Sequence, residues 1–307
     1  MNTIRLTQDS GQSEGIVHNI LNYYLSNPGK LIRPKLIAKL GHLLGLEEKD
    51  YSYISKASEL IHNASLIHDD VVDEALIRRD RPTLNSIMTN SRAVLAGDYL
   101  LANAIAELVS VKQYDQLKTL SQTLEEIVEG EFLQDSLRNK DVISFDDLVN
   151  VSHKKTGALI SWGCHSVALT ANCDESLCLM CLDLGKKIGL AFQMMDDNLD
   201  YSADSGKEYA KDLKEGLINF TTLNLLNLNP ELLYSIYQLR GVANFSAPWS
   251  NDQMNEAMAE TKRRADLLFT EIFKLLGEIA DKANVPQSSE HYSDLKSFLE
   301  KLQGRIR

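Results

Sequence analysis

The stretch Ala64-Ser65-Leu66-Ile67-His68-Asp69-Asp70-Val71-Val72-Asp73 carries an apolar run into an acidic pentad, and Ile188-Gly189-Leu190-Ala191-Phe192 leads likewise into Asp196-Asp197-Asn198-Leu199-Asp200. In a helix, at about 100° per residue, the first and fifth positions stand one above the other. Asp69 and Asp73 therefore share one face, and Asp196 and Asp200 share another, while Asp70 and Asp197 are rotated by roughly 100° and rank behind them as ligands. Carboxylates so crowded repel each other unless a cation neutralises them. All-oxygen ligation selects a hard ion such as Mg²⁺, which keeps waters and completes its shell with phosphate oxygens. A single pentad would read equally well as a solvated acidic face. Two pentads, each closing an apolar stretch, place carboxylates at the ends of buried helices, where unneutralised charge is costly. Asp69, Asp70, Asp73, Asp196, Asp197 and Asp200 are the expected metal residues, and two such faces together would hold a phosphorylated ligand through a shared metal cluster.

Around the pentads, apolar residues recur at helical spacing, as in Leu36-Ile37-Leu40-Leu43-Leu44 and Leu267-Leu268-Ile272-Leu275-Leu276, and strand alternation is scarcely seen. The spacing predicts helices over 12–26, 31–45, 50–73, 86–109, 113–137, 146–171, 175–201, 217–228, 231–240, 251–283 and 290–303. Pro34 suits a first turn, Asp146 and Ser250 suit N-caps, and Gly45 suits a C-terminal stop. The expected fold class is all-α, one domain over residues 1–307: a helical bundle with a central cavity lined from facing helices.

The chain has 307 residues, 44% hydrophobic and 24% charged, with 6 Pro, 16 Gly and no repeat or low-complexity linker, enough for one large core. A formal net charge of −11 excludes a nucleic-acid partner, which needs a basic surface, so cations that bind phosphate must be local. Neither an unbroken apolar run of membrane-spanning length nor a signal or transit pattern at Met1-Asn2-Thr3-Ile4-Arg5 is present. No transmembrane segment and a cytoplasmic location are expected. Cys164, Cys173, Cys178 and Cys181 include one Cys-x-x-Cys without a second pair at zinc spacing, and read as small apolar residues on a buried helix face.

Cations gather beside the acids. Lys30 and Arg33 in Gly29-Lys30-Leu31-Ile32-Arg33-Pro34 stand at a helix start, where backbone N–H groups also favour an anion. Arg78-Arg79 closely follows the first pentad, and Lys155-Thr156 and Gly206-Lys207 add further phosphate ligands. His62 lies about two turns before Asp69 and shares its face, which fits a diphosphate contact or a structural histidine.

In order, Gly29-Lys30-x-x-Arg33-Pro34, His62 with the Asp69 pentad, Arg78-Arg79, Gly97-Asp98-Tyr99-Leu100-Leu101, Lys155-Thr156-Gly157 and Phe192-Gln193-x-x-Asp196-Asp197-x-x-Asp200 resemble the trans-isoprenyl diphosphate synthases, or polyprenyl synthetases, over roughly residues 25–240. The pattern looks most like the long-chain, octaprenyl type. The resemblance implies a Mg²⁺-dependent prenyltransferase and homodimer that joins isopentenyl diphosphate to an allylic diphosphate. Lys30, Arg33, His62 and Arg79 would hold the former. Arg78, Lys155, Thr156, Gln193 and Lys207 would face the latter, bridged to Mg²⁺ by Asp69, Asp73 and Asp196, with Lys155 and these acids catalytic. The growing chain would run back along the Asp69 helix. There Ala64 and Ser65 are small, and Ile61 is a deeper stop, so a product of about 30 to 40 carbons, suited to a quinone tail, is expected. Where this family usually places Lys-x-Thr-Leu-Pro, the chain reads Leu217-Ile218-Asn219-Phe220-Thr221, and a cation is missing. A farnesyl or geranylgeranyl diphosphate synthase and a non-catalytic subunit of a heteromeric synthase are the alternatives. A terpene cyclase fits less well, because the second pentad lacks the Ser/Thr and Glu of cyclase metal motifs.

Overall fold

Helical recurrence of apolar side chains decides nearly every element. The computed structural model describes residues 30–78, 81–202 and 208–304. The elements are α1 (Ile32–Leu43), α2 (Glu48–Val72), β1 (Ile77–Arg78), β2 (Arg81–Pro82), α3 (Leu84–Ile87), α4 (Asn90–Ser110), α5 (Tyr114–Leu137) and α6 (Phe145–Ser152). A π turn, His153–Gly157, leads to α7 (Ala158–Thr170), α8 (Glu175–Leu199), α9 (Lys211–Lys214) and α10 (Phe220–Leu228). The 3₁₀ turn Pro230–Leu232 precedes α11 (Leu233–Leu239), α12 (Asn251–Lys282) and α13 (Glu290–Gln303). The all-α expectation holds. The helix expected over 12–26 lies outside the described residues, as do Arg79 and Lys207.

The described chain divides into two compact units, one running up to Ala38 and including Ser52–Leu117, the other comprising Lys39–Tyr51 and Lys118 onward. In the first, Ile54, Ala57, Ile61, Ala64 and Ile67 form the buried stripe of α2, and Ala93, Ala96, Leu100, Ala104 and Leu108 that of α4. Lys56 bonds Glu107, and His68 Nε2 lies 3.2 Å from the Val94 carbonyl oxygen. On the opposite side of α4, Leu95, Tyr99, Ile105 and Val109 are exposed. By length and composition α4 is apolar enough to cross a membrane, and a third of its apolar window is buried.

The second unit is built on α8, which packs against α7, α12 and the π turn, while α10 packs on α12. Trp162, Phe220 and Phe269 are fully buried there. The buried Asn224 amide donates to Thr261 Oγ1 at 2.8 Å, so this polar pair is satisfied within the core. Burial pushes the Cys164 thiol up to about 12 and raises that of Cys181. These cysteines pack as small apolar side chains, and all four are free thiols.

Local hydrogen bonding explains where the observed elements depart from the expected ones. Met88 is extended and splits the helix expected over 86–109, with Thr89 capping α4 by accepting from Arg92 N. Strand pairing was scarcely expected, yet Ile77 pairs with Pro82 in a two-residue hairpin. The helix expected over 146–171 is interrupted by the π turn. Its N-cap is Ser144 rather than Asp146: Ser144 Oγ accepts from Asp147 N at 3.1 Å, and Asp147 accepts from Ser144 N in return. A hydrogen bond from the Lys140 ammonium, with that backbone bond, holds the Asp147 carboxyl down at about 2. α10 starts after Asn219, not at 217, because Asn219 Oδ1 accepts from Thr222 N. Ser250 caps α12 in a capping box with Gln253, and Gly45, at φ 80°, turns the chain after α1 as expected. Ser144→Ala is expected to lower unfolding free energy by about 1 kcal/mol and Asp146→Ala by only a few tenths, measured by urea denaturation.

Candidate active site

Rotation around α2 sorts the first pentad. Asp69 is partly exposed and Asp73 exposed at the helix end. Asp70, turned by about 100°, is 1% exposed, and its Oδ1 accepts from Arg78 Nε at 2.6 Å. The same corner is closed by Asn85, which donates to the carbonyls of Asp70 and Ala75, and by Thr83, whose hydroxyl donates to Ala75 O. Arg78, expected to face a diphosphate, is thus engaged with Asp70, because a buried carboxylate requires a partner. His62, Ser65 and Asp69 stand a turn apart on one partly exposed face of α2. Ala64 is turned from it by about 140° and, with Ile61, is fully buried, so of the three expected chain-length residues only Ser65 lies on the accessible face. Lys30 is exposed just before α1, and Arg33 occupies its first turn.

In the second unit, a chain of hydrogen bonds links the expected residues. Thr156 Oγ1 donates to Gln193 Oε1 at 2.8 Å, Gln193 Nε2 donates to Asp197 Oδ1 at 2.8 Å, and Phe220 N donates to Asp197 Oδ2 at 2.9 Å. Lys155 Nζ donates to Glu131 at 2.7 Å and to Gln134. Lys155, Thr156, Gln193 and Asp197 line one cavity of about 140 Å³ together with Gln134, Asp212 and Leu217. Burial, followed by the negative charges of Asp212 and Asp196, pushes the Asp197 carboxyl well above its ordinary range, against the hydrogen bonds from Phe220 and Gln193.

Asp200 is the C-cap of α8. α8 ends at Leu199, and the Asp200 carboxylate, 4% exposed, accepts from the backbone N–H groups of Lys211 at 3.1 Å and Asp212 at 3.2 Å. It thereby organises the N-terminal turn of α9, where Ala210 is left-handed at φ 53°. Asp196 is the partly exposed acid of the second pentad. Leu217 and Ile218 put apolar surface on the cavity where a lysine was expected, and Arg240 anchors their loop by donating to Gly216 O. Glu131 and Gln134 were not singled out in the sequence, although their i, i+3 spacing in Gly130-Glu131-x-x-Gln134 marks a shared helix face.

Among the described residues, no three His, Cys, Asp or Glu side chains form a ready-made metal cage. In the first unit the partly exposed Asp69 and the exposed Asp73, and in the second the partly exposed Asp196, are of the ligand type Mg²⁺ takes, since it binds through one or two carboxylates and fills its shell with water and phosphate oxygens. A model of the family described as polyprenyl synthetase matches residues 14–247.

The chain belongs to the polyprenyl synthetase family.

It is 37% identical over 227 residues to a decaprenyl-diphosphate synthase of Dictyostelium discoideum, a match covering 73% of this chain and 49% of that protein. It is 35% identical over 202 residues to the octaprenyl diphosphate synthase of Escherichia coli, covering 64% of this chain and 62% of the relative. The chain thus spans about half the length of the first relative and less than two thirds of the second. The heptaprenyl diphosphate synthase structure from Staphylococcus aureus superposes with a TM-score of 0.82 at 25% identity, covering 98% of this chain and 93% of that one. Within this chain, stability separates the two classes of acid. Asp200→Ala strands two backbone donors and is expected to cost about 2 to 4 kcal/mol, whereas Asp196→Ala should stay within about 0.5 kcal/mol of the parent in denaturant titrations.

Proposed function

We propose that this chain is a trans-polyprenyl diphosphate synthase. It condenses isopentenyl diphosphate head-to-tail (1′-4) with an allylic diphosphate and releases a product of about 30 to 40 carbons for a quinone side chain. The observation that carries this reading is the convergence of the neighbours Lys155 and Thr156 with Gln193, distant from them in sequence, on one cavity. Family membership and the long-chain names of the relatives support it.

In this reading Lys155 and Thr156 exchange their present partners, Glu131, Gln134 and Gln193, for oxygens of the allylic diphosphate. Lys30, Arg33 and His62 hold the diphosphate of the isopentenyl substrate. Asp69 and Asp73, and separately Asp196, would hold Mg²⁺, which would supply positive charge that neutralises the allylic diphosphate. The allylic C–O bond breaks and its electron pair leaves with the diphosphate. The double bond of isopentenyl diphosphate then forms the new C–C bond, and a proton passes to the released diphosphate. Lys155 stabilises the charge that develops on the leaving group, and the apolar side chains beside it exclude water from the allylic cation. The accessible stripe Leu95, Tyr99, Ile105 and Val109 on α4 is offered as the contact of a homodimer.

Leu217 and Ile218 on the cavity favour a second reading, in which the chain is the weak partner in a heteromeric synthase. One incubation separates the two: the purified chain with Mg²⁺, labelled isopentenyl diphosphate and, separately, dimethylallyl, geranyl and farnesyl diphosphates. Products longer than geranylgeranyl are expected. No incorporation with any primer would contradict the stand-alone synthase and favour the subunit. Ser65→Phe is expected to shorten the product, read by chain-length analysis after dephosphorylation. Ala64→Phe, forced into a packed face, should instead lower stability by about 1 to 3 kcal/mol.

A further inference from the structure

Lys155 and Thr156 are adjacent in sequence, yet both side chains reach the same cavity. Neighbours in an ordinary α-helix diverge by about 100°. The segment His153–Gly157 is instead a π turn, wound with one more residue per hydrogen-bonded ring. Two backbones grip it. From α8, a Cβ on Gly189 would stand 2.5 Å from Gly157 Cα and 3.0 Å from Gly157 N. From α5, a Cβ on Gly130 would stand 2.8 Å from Lys154 Cβ and 3.1 Å from Lys155 N. Backbone contacts so close cannot be relieved by turning a side chain. The polar contacts of the turn lie beside these grips: Gln193, one turn beyond Gly189, accepts from Thr156, and Glu131, next to Gly130, accepts from Lys155.

We propose that Gly189 is a positioning residue, whose missing side chain lets α8 seat the π turn so that Lys155 and Thr156 present together to the diphosphate of an allylic substrate. This rests on the diphosphate reading of the cavity given above. Gly185 supplies a matched comparison, because a Cβ there would stand 2.5 Å from Ser161 Cα and 2.8 Å from Ser161 N. The crossing is equally tight between the same two segments of chain, but it meets α7 beyond the π turn.

The test titrates the full chain calorimetrically, in Mg²⁺, with farnesyl thiolodiphosphate, an allylic diphosphate that does not ionise readily, and records thermal unfolding of each variant. Gly189→Ala is expected to weaken binding about tenfold or more while Gly185→Ala stays within about twofold of the parent, at comparable losses of Tm. In turnover, KM for the allylic substrate should rise for Gly189→Ala with KM for isopentenyl diphosphate unchanged. Equal weakening by both substitutions, or none by either, would overturn the positioning role. Should Gly189→Ala not fold, Gly130→Ala meets the π turn from the other side and is judged by the same comparison. Failure of the unsubstituted protein to bind the analogue would remove the diphosphate reading itself, and the inference with it.

Discussion

Six carboxylates at the ends of two apolar helices must each find a positive partner or remain in contact with water. That constraint organises both units. Asp70 takes the Arg78 guanidinium, Asp197 takes the Phe220 N–H and the Gln193 amide, and Asp200 takes two N–H groups at the start of α9. The bonds from Arg78, Phe220, Lys211 and Asp212 also fold a loop back onto its helix end. Asp69 and Asp196 are partly exposed and Asp73 is exposed, so these three keep contact with solvent. A buried carboxylate without donors would be expensive, so the buried set shapes the protein around the accessible set.

The cavity of the second unit inherits this logic. Its floor is the hydrogen-bond chain from Thr156 through Gln193 to Asp197, and Lys155 supplies its positive charge. Burial first, and then the charges of Asp212 and Asp196, make the Asp197 carboxyl resist ionisation. A cation drawn in by a diphosphate would ease that crowding. Glu131 and Gln134 hold the Lys155 ammonium beside the cavity, and an exchange from those oxygens to a phosphate would keep it hydrogen-bonded at both stages.

The helical class and most element bounds were legible in the sequence, because apolar recurrence is a local pattern. Ser250 and Gly45 were legible for the same reason. What escaped depended on partners distant in sequence. Nothing near Asp200 shows that its carboxylate turns to the amides of Lys211 and Asp212, nor does the Arg78 neighbourhood show that it pairs with Asp70 rather than facing outward. The π turn at His153–Gly157 packs closely against Gly189 and Gly130, partners distant in sequence. Ala64 and Ser65 look alike as small residues, and only the burial of the α2 stripe separates them.

The division between structural and cation-binding acids is most directly tested by manganese binding, read from the loss of the free Mn²⁺ signal in electron paramagnetic resonance. With farnesyl thiolodiphosphate present, the unsubstituted chain should bind manganese, and a variant carrying both Asp69→Asn and Asp196→Asn should bind far less while unfolding at nearly the same temperature. Manganese binding by that variant equal to the parent's would contradict the assignment of those two acids to the cation.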